Sequence, residues 1–156
     1  MTDPFLAPDD DSRALARRLM VESRHAALAT LTPDGAPFVT RIALAPDADG
    51  MPLTFVSRLS QHTQALLADP RASLLLGEIA PKGDPLTQPR LTVQVAATPM
   101  TDDEGSPRDT WLRHHPGARL WIDFPDFLFF RLLPRSGFLN AGFARACKLD
   151  ARDLGA

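Results

Sequence analysis

The sequence has very little cysteine: Cys147 stands alone among 156 residues. That excludes a disulfide framework within the chain and any zinc site built on several cysteines. It also lacks a basic excess, with 17 Lys and Arg against 19 Asp and Glu and a formal charge of -2. A nucleic-acid backbone or an anionic membrane therefore has no broad cationic surface to meet, and any anion site must be local. No apolar run approaches the ~20 residues that a membrane-spanning helix needs. The start, with Asp3, Pro4 and the run Asp9-Asp10-Asp11, is unlike a secretory signal, so a cytoplasmic protein is expected. No glycine-rich dinucleotide fingerprint follows a strand, and no phosphate-binding Walker loop occurs. Neither an H-E-x-x-H metal motif nor a G-x-S-x-G elbow is present. The four histidines, His25, His62, His114 and His115, have no carboxylate at metal-ligand spacing.

What is present is a soluble-domain composition, 44% hydrophobic and 23% charged, long enough for one real core. Residues 1–11 read as a flexible arm, and 12–156 as a single domain. Ser12 is placed to cap a helix over 13–23. Alternation then gives strands over 25–31, 37–45, 52–57, 71–79 and 90–100. Turns fall at Thr32-Pro33-Asp34-Gly35 and Asp47-Ala48-Asp49-Gly50. A helix is expected from about Gln61 to Leu67, stopped by Asp69-Pro70. Ser106-Pro107-Arg108-Asp109 signals a further helix start. Two last strands are expected at 127–133 and 137–139, joined by a Pro134-Arg135-Ser136 turn. Strands in consecutive antiparallel pairs, without βαβ alternation, predict a mainly β fold of six or seven antiparallel strands closing into a barrel, with short α-helices. Phe124, Phe127, Phe129 and Phe130, with Trp121, crowd one segment. Their surplus apolar face needs cover, from a subunit interface or from helices of the same chain.

The stretch from Phe38 to Leu76 carries the candidate chemistry. Arg41 leaves a strand on the face opposite Thr40 and Ile42. Ser57 and Arg58 end the next strand. Ser60 caps the following helix, with His62 and Thr63 in its first turn. Guanidinium, hydroxyls and a helix N-terminus at one end of a sheet suit a phosphate-bearing ligand.

The same residues carry a resemblance. Arg41-Ile42-Ala43-Leu44, Gly50 to Ser57, Leu59-Ser60-Gln61-His62-Thr63 and Leu66 to Leu76 resemble the flavin-binding split barrels related to pyridoxamine 5′-phosphate oxidase. The likeness continues at Arg90-Leu91-Thr92-Val93, Asp123 to Phe127 and Gly142 to Ala146, and is greatest with the haem-utilisation branch. It implies a homodimer with FMN at the subunit interface and a small-molecule substrate or reductant. It further implies that Arg41, Val56, Ser57, His62 and Thr63 hold the FMN phosphate. Ile42 and Ala43 would lie along the isoalloxazine, Arg90 would reach the flavin, and the segment from Asn140 to Phe143 would come from the partner subunit. The authentic oxidases carry an Arg-Lys pair where this chain has His62-Thr63, so a different substrate is implied. Alanines, Ala141 and Ala144, replace two glycines of the haem branch. The resemblance thus implies an FMN-dependent oxidoreductase. The alternatives are a haem-binding protein on the same fold, with His25, His114 or His115 as candidate iron ligand, and a flavin-binding module without turnover.

Overall fold

In a computed structural model, residues 5–101 and 107–156 are described. Ser106, the expected cap of the helix before Trp111, lies outside them. Eight strands form one sheet: β1 (His25–Leu31), β2 (Pro37–Ala43), β3 (Ala45–Pro46), β4 (Pro52–Ser57), β5 (Arg71–Leu76), β6 (Arg90–Pro99), β7 (Phe127–Asn140) and β8 (Ala146–Asp150). Three helices accompany them: α1 (Asp10–Glu22), α2 (Gln61–Ala68) and α3 (Pro107–His114). The strand order is β2-β1-β5-β6-β7-β4-β3, with β8 also on β7, and every strand pair is antiparallel. The ends of this path approach each other where the Thr54 hydroxyl of β4 donates to the Ala43 carbonyl of β2 at 2.8 Å. The expected mainly β split barrel is what the chain forms.

Alternation decides which side chains fill the barrel. Ala26 and Leu28 of β1, Ile42 of β2, Leu74 and Leu76 of β5, Leu91, Val93 and Val95 of β6, and Leu128, Phe130, Leu132 and Leu139 of β7 form one buried cluster. Full burial of each such Leu, Val or Phe stabilises by about 1.5–3 kcal/mol. Helix α1 closes one end through Ala16 and Met20.

The aromatic segment is covered by the same chain. Phe55, Trp111, Ala118 and Ile122 make a second, smaller core on the outer side of β4 and β7, with Phe127 and Phe129 packed against it. Phe55 lies 4.4 Å from Phe129, centroid to centroid. Trp121 and Phe124 stay exposed at 38% and 53%.

Several expectations are corrected. Helix α1 begins at Asp10, because the Asp9 carboxylate, and not Ser12, caps it by accepting the Ser12 N–H at 2.8 Å. Asp10 and Asp11 then sit in its first turn, where the helix dipole favours negative charge. Leu6 of the expected arm bridges Cys147 at the sheet edge. Pro134-Arg135-Ser136 is not a turn. Val95 pairs with Pro134 and Gln94 with Ser136, so Arg135 is an extra residue in one continuous 14-residue strand. A bulge tolerates the missing proline N–H and preserves the inward face on both sides of it. The eighth strand, Ala146–Asp150, lies beyond the last one expected from the sequence; Cys147 and Leu149 point inward and are buried.

Candidate functional site

The seam between β2 and β4 is set by their short links to neighbouring elements. Asp47 organises the β3–β4 turn by accepting the Asp49 and Met51 N–H groups, both at 2.9 Å. Gly50, at φ +82°, supplies the conformation that the turn needs. At the far end of β4, the Ser60 hydroxyl donates to the Ser57 carbonyl at 2.7 Å and launches α2. This brings His62 across the seam to β2, with its Nδ1 3.2 Å from the Thr40 hydroxyl. A strand and a helix start that are 22 residues apart in sequence thus meet through Thr40, on the face of β2 opposite Arg41.

The expected cofactor residues divide by orientation. Arg41 is exposed, whereas Ile42 is buried in the main core and Ala43 packs against the second core. Val56 is buried. Thr63 is fully buried, and its hydroxyl shares a 2.6 Å hydrogen bond with that of Ser60. Burial holds the His62 imidazole below its usual pKa, which favours the neutral ring. The Ser57 hydroxyl donates to the Asp126 carboxylate at 2.6 Å, and the Arg58 N–H donates to the Asp126 carbonyl at the same distance. A phosphate arriving beside Ser57 would find the Asp126 carboxylate already on the hydroxyl, with exposed Arg58 next in the chain. The cradle fits a phosphate dianion only in part. Asp126 is the residue that sequence reasoning missed here: it lies 69 positions from Ser57, and no local signal links them.

The outward face of the sheet is read directly from the register. Arg41 stands opposite Ala27, Ala27 opposite Leu75, Leu75 opposite Thr92, Thr92 opposite Phe138 and Phe138 opposite Lys148. Registered partners share a face. One row therefore runs across the outside of the barrel from a guanidinium past exposed Leu75 (49%) to exposed Phe138 (36%). Val39, 62% exposed, begins the next row, opposite Ala29. In the row on the other side, Arg90 stands opposite Asn140 and His25 opposite Ala43. The Arg90 guanidinium is steadied by the Leu86 carbonyl at 2.8 Å.

The other histidines lie elsewhere. His114 Nδ1 contacts the Thr110 carbonyl at 2.8 Å within its own helix. His115 Nε2 donates to the Leu44 carbonyl at 2.7 Å, and its ring lies 4.5 Å from that of Trp111. A groove of about 430 Å³ runs between Ala29, Leu31, Arg71, Ser73, Gln94 and Arg135. A cleft of about 570 Å³ opens among Phe55, Arg58, Arg108, Phe127 and Phe129. Neither lining includes Arg41 or His62. Among the described residues, no group of three His, Cys, Asp or Glu side chains could hold a metal ion. Among the described residues, no helix is long and apolar enough to cross a membrane.

Comparison with known proteins gives this geometry its family. The non-canonical heme oxygenase HOZ of the Arabidopsis thaliana chloroplast is 38% identical over 114 residues, 72% of this chain and 34% of HOZ. The chain thus spans about a third of the length of that curated relative. A heme-binding protein from Mycobacterium smegmatis superposes with a TM-score of 0.85 at 26% identity, over 96% of this chain and 61% of that one. ChuZ from Campylobacter jejuni shares the fold at a TM-score of 0.83 and 16% identity, over 95% and 63% of the two chains. The family model for pyridoxamine 5′-phosphate oxidase matches residues 13–134, and the chain accordingly belongs to the pyridoxamine 5′-phosphate oxidase family.

Proposed function

We propose that this protein binds haem on the outward face of its split barrel. The observation that carries the reading is the make-up of that face: exposed Leu75 lies between the strands of Arg41 and Arg90, with exposed Val39 and Phe138 on the same face to either side. A porphyrin is a broad apolar plate with two carboxylates. It needs flat apolar contact together with separated cations, not a compact phosphate cradle. The names of the 38%-identical heme oxygenase and the 26%-identical heme-binding protein support the same ligand. The outside of a curled sheet covers only one side of a plate, so a second copy of the chain is proposed to cover the other, as a homodimer. When bound, haem would supply the iron chemistry, while Arg41 and Arg90 hold its carboxylates and Leu75 and Phe138 exclude water from the ring.

Hemin titration of the purified protein tests this. The reading expects a shifted Soret band that saturates at a fixed ratio to chain, and a dimer by light scattering. An unshifted hemin spectrum at micromolar protein would overturn it.

A second reading, FMN binding with or without oxidoreductase turnover, is favoured by the first turn of α2, where His62 meets Thr40 of the strand that carries Arg41. In it Arg41, Val56, Ser57, His62 and Thr63 serve the phosphate, Ile42 and Ala43 the ring, and Arg90 the ring edge. A yellow protein that releases FMN on denaturation supports this reading over haem. Reduction by NADH or NADPH then separates an enzyme from a carrier.

A further inference from the structure

We propose that the groove between β1, β5, β6 and the bulge of β7 binds a flat apolar monocarboxylate, a site that does not depend on the haem reading above. The groove encloses about 430 Å³. Its floor follows from register. Ala29 stands opposite Ser73, Ser73 opposite Gln94 and Gln94 opposite Ser136, all on the outward face. Two small side chains, Ala29 and Ser73, side by side in the middle of a sheet leave a trough. Pro37 stands opposite Leu31, and continuing the β1–β5 register sets Arg71 beyond it, so this row walls the trough on one side.

The polar side chains of the lining all carry donors, and none is a carboxylate. The Ser136 hydroxyl donates to Gln94 Oε1 at 2.9 Å, which leaves the amide N–H groups of Gln94 to donate elsewhere. Those N–H groups, the Ser73 hydroxyl and the Arg135 guanidinium have no partner among the described residues. Arg135 owes its place to the bulge: it is the extra residue of β7, between Pro134 on Val95 and Ser136 on Gln94. A bulge of this kind re-aims a side chain. Arg135 stands on the ridge between this groove and another that holds Asp49, and the two form no ion pair.

Charge decides the class of ligand. The Arg71 Nε and Nη2 donate to both oxygens of Asp69 at distances between 2.7 and 3.2 Å, so that pair is neutral as a unit. Arg135 is then the one uncompensated charge in the lining. A single carboxylate matches it, with Gln94 and Ser73 within the same groove to take the remaining lone pairs. A second anionic group would go unpaired. Ala29, Leu31 and Pro37 offer the rest of the ligand an apolar bed.

Fluorescence titration of the full chain with naphthoate, its neutral amide and naphthalene dicarboxylate tests this, with far-UV circular dichroism to verify folding of each variant. Wild type is expected to bind naphthoate at one site per chain, and the amide and the dicarboxylate about tenfold more weakly. Arg135→Gln should abolish the preference for the acid over the amide. Ala29→Leu or Ser73→Leu should fill the trough and block all three compounds. Failure of naphthoate to bind wild type at millimolar concentration overturns the proposal, and so does equal naphthoate affinity in folded Arg135→Gln. Light scattering identifies the rival occupant: a dimer that Ala29→Leu splits, with no naphthoate bound to wild type, would mean that a second copy of the chain fills the groove.

Discussion

Asp126→Asn should turn a poor flavin site into a better one. In the wild type the Asp126 carboxylate accepts a hydrogen bond from the Ser57 hydroxyl at 2.6 Å, beside the start of α2. A phosphate near Ser57 would lie about 5 Å from that carboxylate, where like unit charges repel by about 3 kcal/mol at an effective dielectric of about 20. Solvent at this half-exposed position reduces the repulsion to about 1–2 kcal/mol. Freeing the hydroxyl to donate to phosphate adds about 1 kcal/mol. Together these give about 2 kcal/mol, or roughly a 30-fold tighter FMN complex. The amide still accepts from Ser57 when no ligand is present, and the Arg58 N–H to Asp126 carbonyl bond is untouched, so the fold should hold. Quenching of FMN fluorescence on titration measures the change. A dissociation constant within twofold of wild type, in a variant with unaltered circular dichroism, would refute the idea that this carboxylate guards the cradle.

Three further outcomes follow from the geometry. Ala144→Gly should raise stability by about 0.5–1 kcal/mol in urea unfolding, because Ala144 sits at φ +56° in the β7–β8 loop, a conformation that disfavours a side chain. Phe130→Ala, at the fully buried centre of the barrel, should cost about 3–5 kcal/mol by the same measurement; a loss below 1 kcal/mol would mean that the core collapses around the cavity. His62 titrates below its ordinary value in the fold because burial disfavours the cation. The unfolded chain then binds the extra proton first, so the stability contributed by His62 is complete above pH 6.5 and lost as pH falls through the folded value. Urea midpoints between pH 7.5 and 5 should therefore decline less in His62→Gln than in wild type, and equal slopes would contradict this.

Much of the barrel was legible because its signals are local. Asp47 to Gly50 carries its own turn chemistry, and Asp69-Pro70 stops α2 within a residue of the expected place. The misreadings have one physical origin, that a residue's meaning depends on distant pairing. Three aspartates look like a polar arm until Asp9 is seen to cap α1. Pro134 looks like a turn until β6 continues past it and absorbs one extra residue. The site divides in the same way. Arg41 and His62 were recognisable from a motif contained within 39 residues. The Ser57–Asp126 bond and the row from Arg41 to Phe138 exist only once five strands are aligned, so no sequence window contains them.

The late position of β7 bears on how the chain leaves the ribosome. Strand β4 is almost wholly apolar and buried, yet apart from the two residues of β3 its pairing partner is the first half of β7, where Phe55 meets Phe129. That partner emerges about 75 residues later, or roughly 4–15 s at ordinary elongation rates. For that interval the nascent chain holds out a sticky, unpaired ribbon, which makes β4 the segment most in need of a chaperone during synthesis.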